Sequence, residues 1–244
     1  MYDYWLGGKD NFPADREAAE KILTYIPDGR DQAHANRKFL RRAVRFMIDD
    51  GIRQFIDIGT GLPTQGQVHQ VAGEIAPETR VVYVDNDPVA IAHARALLQD
   101  TEQVGVAQAD LREPEKILQH PDTRALIDFD KPYGLMLLAI MHFIPDEEDP
   151  AGILGQFRDA MAPGSYLAIS HTTTDYRPEA GAGAAAVWQQ SNAAMWPRTK
   201  AELTRFFEGF DLVRPGIVDV KVWDTDTTDN PEDTVVYGAV GRRP

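Results

Sequence analysis

The sequence contains no cysteine, which excludes disulfides, thiolate nucleophiles and cysteine-based zinc sites. It also lacks any apolar run approaching the roughly 20 residues of a membrane span. No basic-then-apolar stretch near its start suggests a signal peptide. We therefore expect a cytoplasmic protein with no membrane partner.

Basic residues are scarce: 25 Lys and Arg stand against 38 Asp and Glu, giving a net charge of −13. Phosphate binding needs a basic surface, so this charge argues against a nucleic-acid partner. The one basic stripe, residues 37–45, is more typical of a solvated helix face. Four adjacent acids, residues 146–149, could ligate a hard cation but are more typical of a helix start. We expect no metal.

At 244 residues with 43% hydrophobic content, the chain fits one α/β domain. Its central stretch is residues 54–66. Phe55, Ile56 and Ile58 form an apolar run typical of a buried strand, which stops at the turn Gly59-Thr60-Gly61. Glycines let a ligand approach the backbone closely, so the turn predicts a ligand site.

A second apolar strand, residues 81–84, ends in Asp85-Asn86-Asp87. In a parallel βαβ unit this places a carboxylate where it can accept hydrogen bonds from ribose hydroxyls. The glycine turn and this acid together predict nucleoside binding. Further strands at residues 104–109, 133–139 and 166–170 complete five parallel strands, and Asp110 ends the third.

The regions around this core are less regular. Residues 2–12 show no helical or strand period and are either a packed arm or a lid hinged at Gly7-Gly8. Helices predicted at residues 15–25 and 31–50 form an N-terminal cap. Residues 171–197 read as an insertion with a possible helix at 184–194. Two final strands, about residues 217–223 and 235–241, suit an antiparallel hairpin.

This pattern resembles the class I S-adenosylmethionine-dependent methyltransferases. More narrowly, residues 2–12, Ala35-Asn36-Arg37 and residues 54–64 resemble an actinobacterial family of S-adenosylmethionine methyltransferases that began as a family of unknown function. The resemblance implies a Rossmann-like α/β fold, a seven-stranded mostly parallel sheet with an antiparallel last strand. Residues 1–52 would be lid and cap, and residues 53–244 the core of a single domain spanning residues 1–244. Pro63 stands where the broader class I pattern has its third glycine, and Thr64 replaces the last glycine of the dinucleotide-binding pattern.

The resemblance also implies the cofactor, S-adenosylmethionine. Asp85 is expected to hold the ribose, Asp110 the adenine amine, and the Leu111 backbone N–H the adenine ring. The predicted cofactor-binding residues are Tyr2, Gly8, Asp57, Gly59, Thr60, Gly61, Asp85, Asn86, Asp110 and Leu111.

Methyl transfer is an in-line displacement that needs mainly positioning and the exclusion of water. A base is needed only for a protonated acceptor, and the candidates by position are His142 and His171. The acceptor is predicted to be a small molecule, partly apolar or aromatic, walled by Tyr176, Trp188, Met195 and Trp196. Two alternatives stay open: a cofactor-binding regulator or subunit without catalysis, and a nicotinamide-dependent oxidoreductase.

Overall fold

In the computed structural model, the described residues are 1–62, 66–98, 101–189, 194–226, 231 and 233–244. Among them a single sheet carries eight strands in the order β3-β2-β1-β4-β5-β8-β6, with β7 paired to β8. Strands β1 to β5 are parallel, and β8 runs antiparallel to β5, β6 and β7. The strands are β1 Gln54–Ile58, β2 Arg80–Asp85, β3 Val104–Gln108, β4 Gly134–Leu138, β5 Tyr166–Thr172, β6 Asp211–Leu212, β7 Val218–Asp219 and β8 Val236–Arg242.

Helices cover both faces of this sheet. Short 3₁₀ turns lie at Met141–Phe143, Asp146–Glu148 and Arg205–Phe207. The helices are α1 Tyr2–Trp5, α2 Pro13–Tyr25, α3 Gly29–Asp49, α4 Val68–Gly73, α5 Pro88–Leu98, α6 Pro114–Leu118, α7 Pro121–Leu126, α8 Pro150–Asp159, α9 Pro178–Gln189 and α10 Lys200–Thr204. No helix in the described ranges has both the length and the apolar character needed to cross a membrane.

The core consists of two apolar clusters, one on each face of the sheet. Successive strand residues point to opposite faces, so Phe55 of β1 joins the cluster under α3 while Ile56 and Ile58 join the other. Helix α3 contributes Phe39 and Met47 to the first cluster. The sheet is therefore buried on both faces, as the apolar run at β1 predicts.

The described residues form eight strands instead of the expected seven, because two short strands, β6 and β7, both pair with β8. Each of these two strands is only two residues long. The strand predicted at residues 217–223 pairs with β8 only at Val218–Asp219. Beyond it the chain turns inward and buries Trp223 against Phe39, with ring centroids 5.3 Å apart. The antiparallel pairing with the last strand is confirmed. Most of the predicted polar hairpin tip, residues 227–230 and 232, lies outside the described residues.

Two helical elements differ from the sequence expectation. Residues 2–5 form one helical turn, α1, where no regular element is predicted. Helix α9 begins at Pro178 rather than at residue 184, and residues 190–193 lie outside the described part. Helix α9 packs against α2, and a side chain at Gly183 would overlap the ring of Tyr25. Together α1, α2 and α9 form a roof over the carboxyl edge of the sheet.

Candidate functional site

A cavity of about 320 Å³ lies under this roof. Its floor is the carboxyl edge of β1, β4 and β5, and its walls come from α1, α3 and α9. A second cavity, of about 680 Å³, lies between the N-terminal residues and α5. We call the first the main cavity, because the strand ends form its floor, and the second the side cavity. The residues that line both are Tyr2, Arg37, Thr60, Gly61 and Asp85.

The glycine turn is fixed to the end of β2. The Gly59 N–H donates to the Val84 carbonyl (2.8 Å), and the Gly61 N–H donates to Asp85 Oδ2 (2.8 Å). Both glycines have positive φ, +77° and +60°. A Cβ at Gly59 would lie 2.6 Å from Ile140, whereas a Cβ at Gly61 would meet nothing within 4 Å. Gly61 therefore leaves open space where a ligand can approach the backbone. Pro63 and Thr64 lie outside the described residues.

Asp57 lies in β1 with only 5% of its surface exposed, and it lines the main cavity. Burial raises its pKa to about 7; the nearby Arg37 acts to lower it and Asp85 acts to raise it. Asp57 is therefore poised to change charge near neutral pH when a charged ligand enters.

Asp85 and Asp110 end neighbouring strands, as expected, but only Asp85 lines a cavity. Its Oδ1 accepts from the Asp87 N–H (2.9 Å), and burial raises its pKa although these backbone hydrogen bonds act to lower it. Asp110 accepts from Asn86 Nδ2 (3.2 Å) and from the Arg112 N–H (2.9 Å). Asn86, Asp110 and the buried Leu111 line neither the main nor the side cavity.

Tyr2 anchors the N-terminal residues to α3. Its hydroxyl accepts from Asn36 Nδ2 (3.0 Å) and donates to the Ala33 carbonyl (3.2 Å). The Arg37 guanidinium lies 5.6 Å from the ring centroid. Arg37 thus faces the cavity instead of solvent, whereas Lys38, Arg41 and Arg45 of the same stripe are exposed, as expected. Its neighbour Arg41 pairs with Glu74.

Gly8 lines neither cavity. A side chain at this position would overlap the buried carboxylate of Asp3. Asn11 Nδ2 donates both to Asp3 Oδ2 (2.7 Å) and to the Gly8 carbonyl (2.9 Å). The structure therefore gives Gly8 a packing role within the N-terminal segment and places it outside both cavities.

An aromatic wall closes one side of the main cavity. Trp188 of α9 lies edge-on to Trp5 of α1, with ring centroids 6.5 Å apart, and 5.5 Å from Phe143. Met195 also lines the cavity, whereas Trp196 and Tyr176 are exposed and lie outside it. The sequence offers Trp5 only as part of the possible lid at residues 2–12, and it does not single out Phe143 or Gln32 as cavity residues. A signal was available in α3, because Gln32 and Asn36 interrupt its buried face one turn apart.

The two candidate histidines have different surroundings. His142 lines the main cavity, and its Nδ1 is buried with no hydrogen-bond partner in the described ranges. Burial, reinforced by His171 and Arg198, holds the pKa of His142 well below its usual value. His171 Nδ1 donates to the Thr172 carbonyl (2.7 Å), and its Nε2 accepts from Arg198 Nη1 (3.1 Å). With both ring nitrogens engaged and its pKa lowered by burial to about 3, His171 has no free lone pair for an acceptor proton.

Three of the four acids at residues 146–149 are engaged with the protein. Asp149 Oδ1 accepts from the Gly152 N–H (3.0 Å) at the start of α8. Asp146 pairs with Arg198 (2.6 Å), and Glu148 pairs with Arg112. Within the described residues, no group of three or more acids and histidines is arranged to hold a metal ion.

A family model described as S-adenosyl methyltransferase matches residues 1–244. A DUF574 family protein from Streptomyces avermitilis is 42% identical, with TM-score 0.94, and the match covers 100% of this chain and 95% of that one. A protein from Thermobifida fusca, described as a candidate methyltransferase, is 40% identical, with TM-score 0.93 and coverage of 99% and 92%. No curated protein matches the sequence.

More distant structures share the fold. The N-methyltransferase NodS from Bradyrhizobium japonicum, in complex with S-adenosyl-L-homocysteine, is 13% identical, with TM-score 0.51 and coverage of 84% and 88%. This likeness establishes a methyltransferase-type α/β fold and nothing about the acceptor.

Proposed function

Since the chain belongs to the S-adenosyl methyltransferase family, we propose that it methylates a small, partly apolar acceptor in the main cavity. Its cofactor is S-adenosylmethionine. The observation that carries the acceptor assignment is the aromatic wall of Trp5, Phe143 and Trp188 facing the same cavity as Asp57 and the glycine turn. Neither the oxidoreductase nor the regulator alternative is favoured. Residues 1–52 act as lid and cap on the core in this proposal.

The residues at the glycine turn fit the cofactor. S-adenosylmethionine, when bound, supplies a methyl group on a positively charged sulfur. Gly61 leaves the backbone accessible, and Asp85 retains lone pairs for ribose hydroxyls beside the two hydrogen bonds it already accepts. Asp57 offers a buried carboxylate to a cationic group. Asp110 and the Leu111 N–H are assigned to adenine from their place after β3 at the same edge of the sheet, although neither lines the main or the side cavity.

The acceptor end of the cavity combines apolar rings with one neutral imidazole. Because its pKa is held low, His142 stays uncharged at neutral pH and can accept a hydrogen bond from an acceptor O–H or N–H. A low pKa also makes it a weak base, so we assign it orientation of the acceptor. Rings of this size exclude water from the reacting atoms.

We also propose that nucleic acid is not the acceptor. The net charge of −13 opposes a polyanion. Three basic residues of α3 have partners within the protein: Arg37 faces the cavity, Arg41 pairs with Glu74 at the surface, and Arg42 Nε donates to the Trp223 carbonyl (2.6 Å).

Replacing the ribose carboxylate tests the cofactor assignment. Asp85→Ala is expected to weaken S-adenosylmethionine binding about tenfold or more, since a hydrogen bond to a charged group contributes roughly 1.5–3 kcal/mol. Titration calorimetry on the folded variant measures the change. Asp110→Asn is the matched comparison and should lose less, because its amide oxygen still accepts. An unchanged affinity in Asp85→Ala would refute the assignment.

The raised pKa of Asp57 predicts pH-dependent cofactor binding. A cationic ligand group favours the ionised carboxylate, so binding should release a proton while Asp57 is still protonated. The affinity for S-adenosylmethionine should therefore rise about fivefold to tenfold from pH 6 to pH 8, flattening above the pKa of about 7. Asp57→Asn should remove this dependence. A rise of equal size in that variant would assign the titration to another group.

In the protein without ligand, the same raised pKa makes stability fall with rising pH, whereas cofactor affinity rises. An acid whose pKa is raised on folding favours the folded state at pH values below its unfolded pKa, and this contribution is lost as the pH rises through the folded value. The free energy of unfolding should therefore fall between about pH 4 and the pKa of about 7. Binding measurements at each pH thus need a matching unfolding curve.

A further inference from the structure

Gln32 places an unsatisfied hydrogen-bond acceptor in the wall of the main cavity. The residue lies in the first turns of α3 and is only 4% exposed. Its Oε1 is buried and has no hydrogen-bond partner in the described part of the chain. A buried carbonyl oxygen without a donor is costly, so native proteins rarely leave one unpaired. Because Gln32 lines the main cavity, a ligand there can supply the missing donor.

The orientation of this amide is fixed by its neighbours. Gln32 Nε2 donates to Asp28 Oδ2 (2.9 Å), and Arg177 Nη1 donates to Asp28 Oδ1 (2.7 Å). Burial opposes ionisation of Asp28, but the hydrogen bonds from Arg177 and Gln32 outweigh it, so the pKa of Asp28 is lowered. An ionised carboxylate only accepts hydrogen bonds, so the amide NH₂ must face it. The carbonyl oxygen is thereby held away from Asp28 as a fixed acceptor.

We assign Gln32 to the acceptor side of the cavity from the contacts of Asp28. Arg177, which fixes Asp28, immediately precedes α9, the helix that carries Trp188. Apart from Tyr2, the groups assigned to the cofactor belong to the strand ends and the glycine turn. Trp5, in the same aromatic wall, also has a buried Nε1 that finds no hydrogen-bond partner among the residues that the structure describes. The apolar end of the cavity is therefore assigned one hydrogen-bond acceptor, Gln32 Oε1, and one donor, Trp5 Nε1.

We propose that Gln32 selects the methyl acceptor by accepting a hydrogen bond from it. The acceptor is then an aromatic or similarly apolar molecule that carries an O–H or N–H group, such as a phenol, an indole or an aromatic amine. Ethers and hydrocarbons of the same shape leave Oε1 unpaired and are rejected. This inference rests on the proposed function, because it assigns the apolar end of the cavity to the acceptor.

Indole and benzofuran provide a matched pair of probes, because they share a shape and differ in the N–H group. Calorimetry on protein saturated with S-adenosylhomocysteine measures their binding without requiring turnover. Indole should bind about tenfold more tightly than benzofuran, the scale expected when a buried acceptor would otherwise remain unpaired. Phenol and fluorobenzene repeat the comparison for an O–H donor.

Two variants test whether Gln32 causes the preference. Gln32→Met should reduce the indole preference to about twofold or less and leave benzofuran binding within about twofold. Asp28 lies outside the cavity. In Asp28→Asn the new side chain can donate a hydrogen bond, so the Gln32 amide is free to turn and the preference for indole should also fall. The exposed Gln108→Met is the control and should change nothing.

Several outcomes would overturn the inference. They are equal binding of the paired probes, no binding of any probe, and a preference that survives in both variants. Loss of S-adenosylhomocysteine affinity in Gln32→Met would assign the oxygen to the cofactor instead. Failure of the proposed function looks different. If S-adenosylhomocysteine does not bind the wild-type protein, or if donor-bearing probes bind selectively but such molecules are never methylated, the methyltransfer assignment fails while the selectivity of Gln32 is still measured.

Discussion

A chain that begins at Pro13 is expected to lose at least a hundredfold in affinity for S-adenosylmethionine and still fold. Tyr2 lines both cavities, and its hydroxyl accepts a hydrogen bond from Asn36 Nδ2 and donates one to the Ala33 carbonyl. Without residues 1–12, water reaches Arg37 and Asp57, so a bound ligand loses its enclosure. A hundredfold loss corresponds to about 2.8 kcal/mol. Residues 1–12 contribute to neither apolar cluster, so the unfolding transition should persist.

Two point variants refine this deletion. Gly8→Ala introduces a methyl group into the space of the Asp3 carboxylate, so it should reproduce part of the loss without shortening the chain. Tyr4→Phe is the control. The Tyr4 hydroxyl donates to Glu20 (2.7 Å) on the solvent side, and Tyr4 lines neither cavity. Its cofactor affinity should stay within about twofold of wild type. Normal binding by the truncated chain would reduce residues 1–12 to packing alone.

Arg198→Met is expected to lower the free energy of unfolding by about 2–4 kcal/mol, because a buried charged donor is removed from several acceptors at once. Arg198 is 5% exposed. It donates to the carbonyls of Met141 (3.2 Å) and Ile144 (2.7 Å) and to His171 Nε2. These carbonyls belong to the turn that carries His142 and Phe143. Urea unfolding measures the loss.

Methyl transfer by Arg198→Met should fall while cofactor affinity changes little, since Arg198 lines neither the main nor the side cavity. Asp146→Asn is the matched comparison. The Asp146 side chain is 81% exposed, so loss of its charge should cost less than about 1 kcal/mol. Equal stability of Arg198→Met and wild type would show that the turn is held by other contacts.

The sequence predicts the elements whose structure depends on residues close together in the chain. The apolar run at β1, the turn Gly59-Thr60-Gly61 and the acid at Asp85 each follow from neighbouring residues, and the structure brings them together. Helix α10 begins at a capping box of Thr199 and Glu202, a local pairing of residue types three positions apart, with Thr199 Oγ1 accepting from the Glu202 N–H (3.3 Å).

Features that depend on distant contacts escape such patterns. Strands β6 and β7 each pair with β8 over only two residues. For β7 the pairing ends because the chain turns inward and buries Trp223. Gly8 is required by Asp3, a contact that no periodicity reveals. Arg37 looks like part of a solvated stripe until Tyr2 is placed beside it. The selective position of Gln32 depends on Asp28 and on Arg177, which lies far along the chain.

The central claim, methyl transfer to a small molecule in the main cavity, is tested most directly with labelled S-adenosylmethionine. The purified protein is offered phenols, indoles, amines and carboxylic acids beside tRNA and duplex DNA, at low salt where electrostatic binding is strongest. We predict label in a donor-bearing aromatic small molecule, and loss of that label in Asp85→Ala and Trp188→Ala. Labelling of either nucleic acid, lost when Arg41 and Arg42 are replaced, would contradict the claim, as would tight cofactor binding with no transfer to any acceptor.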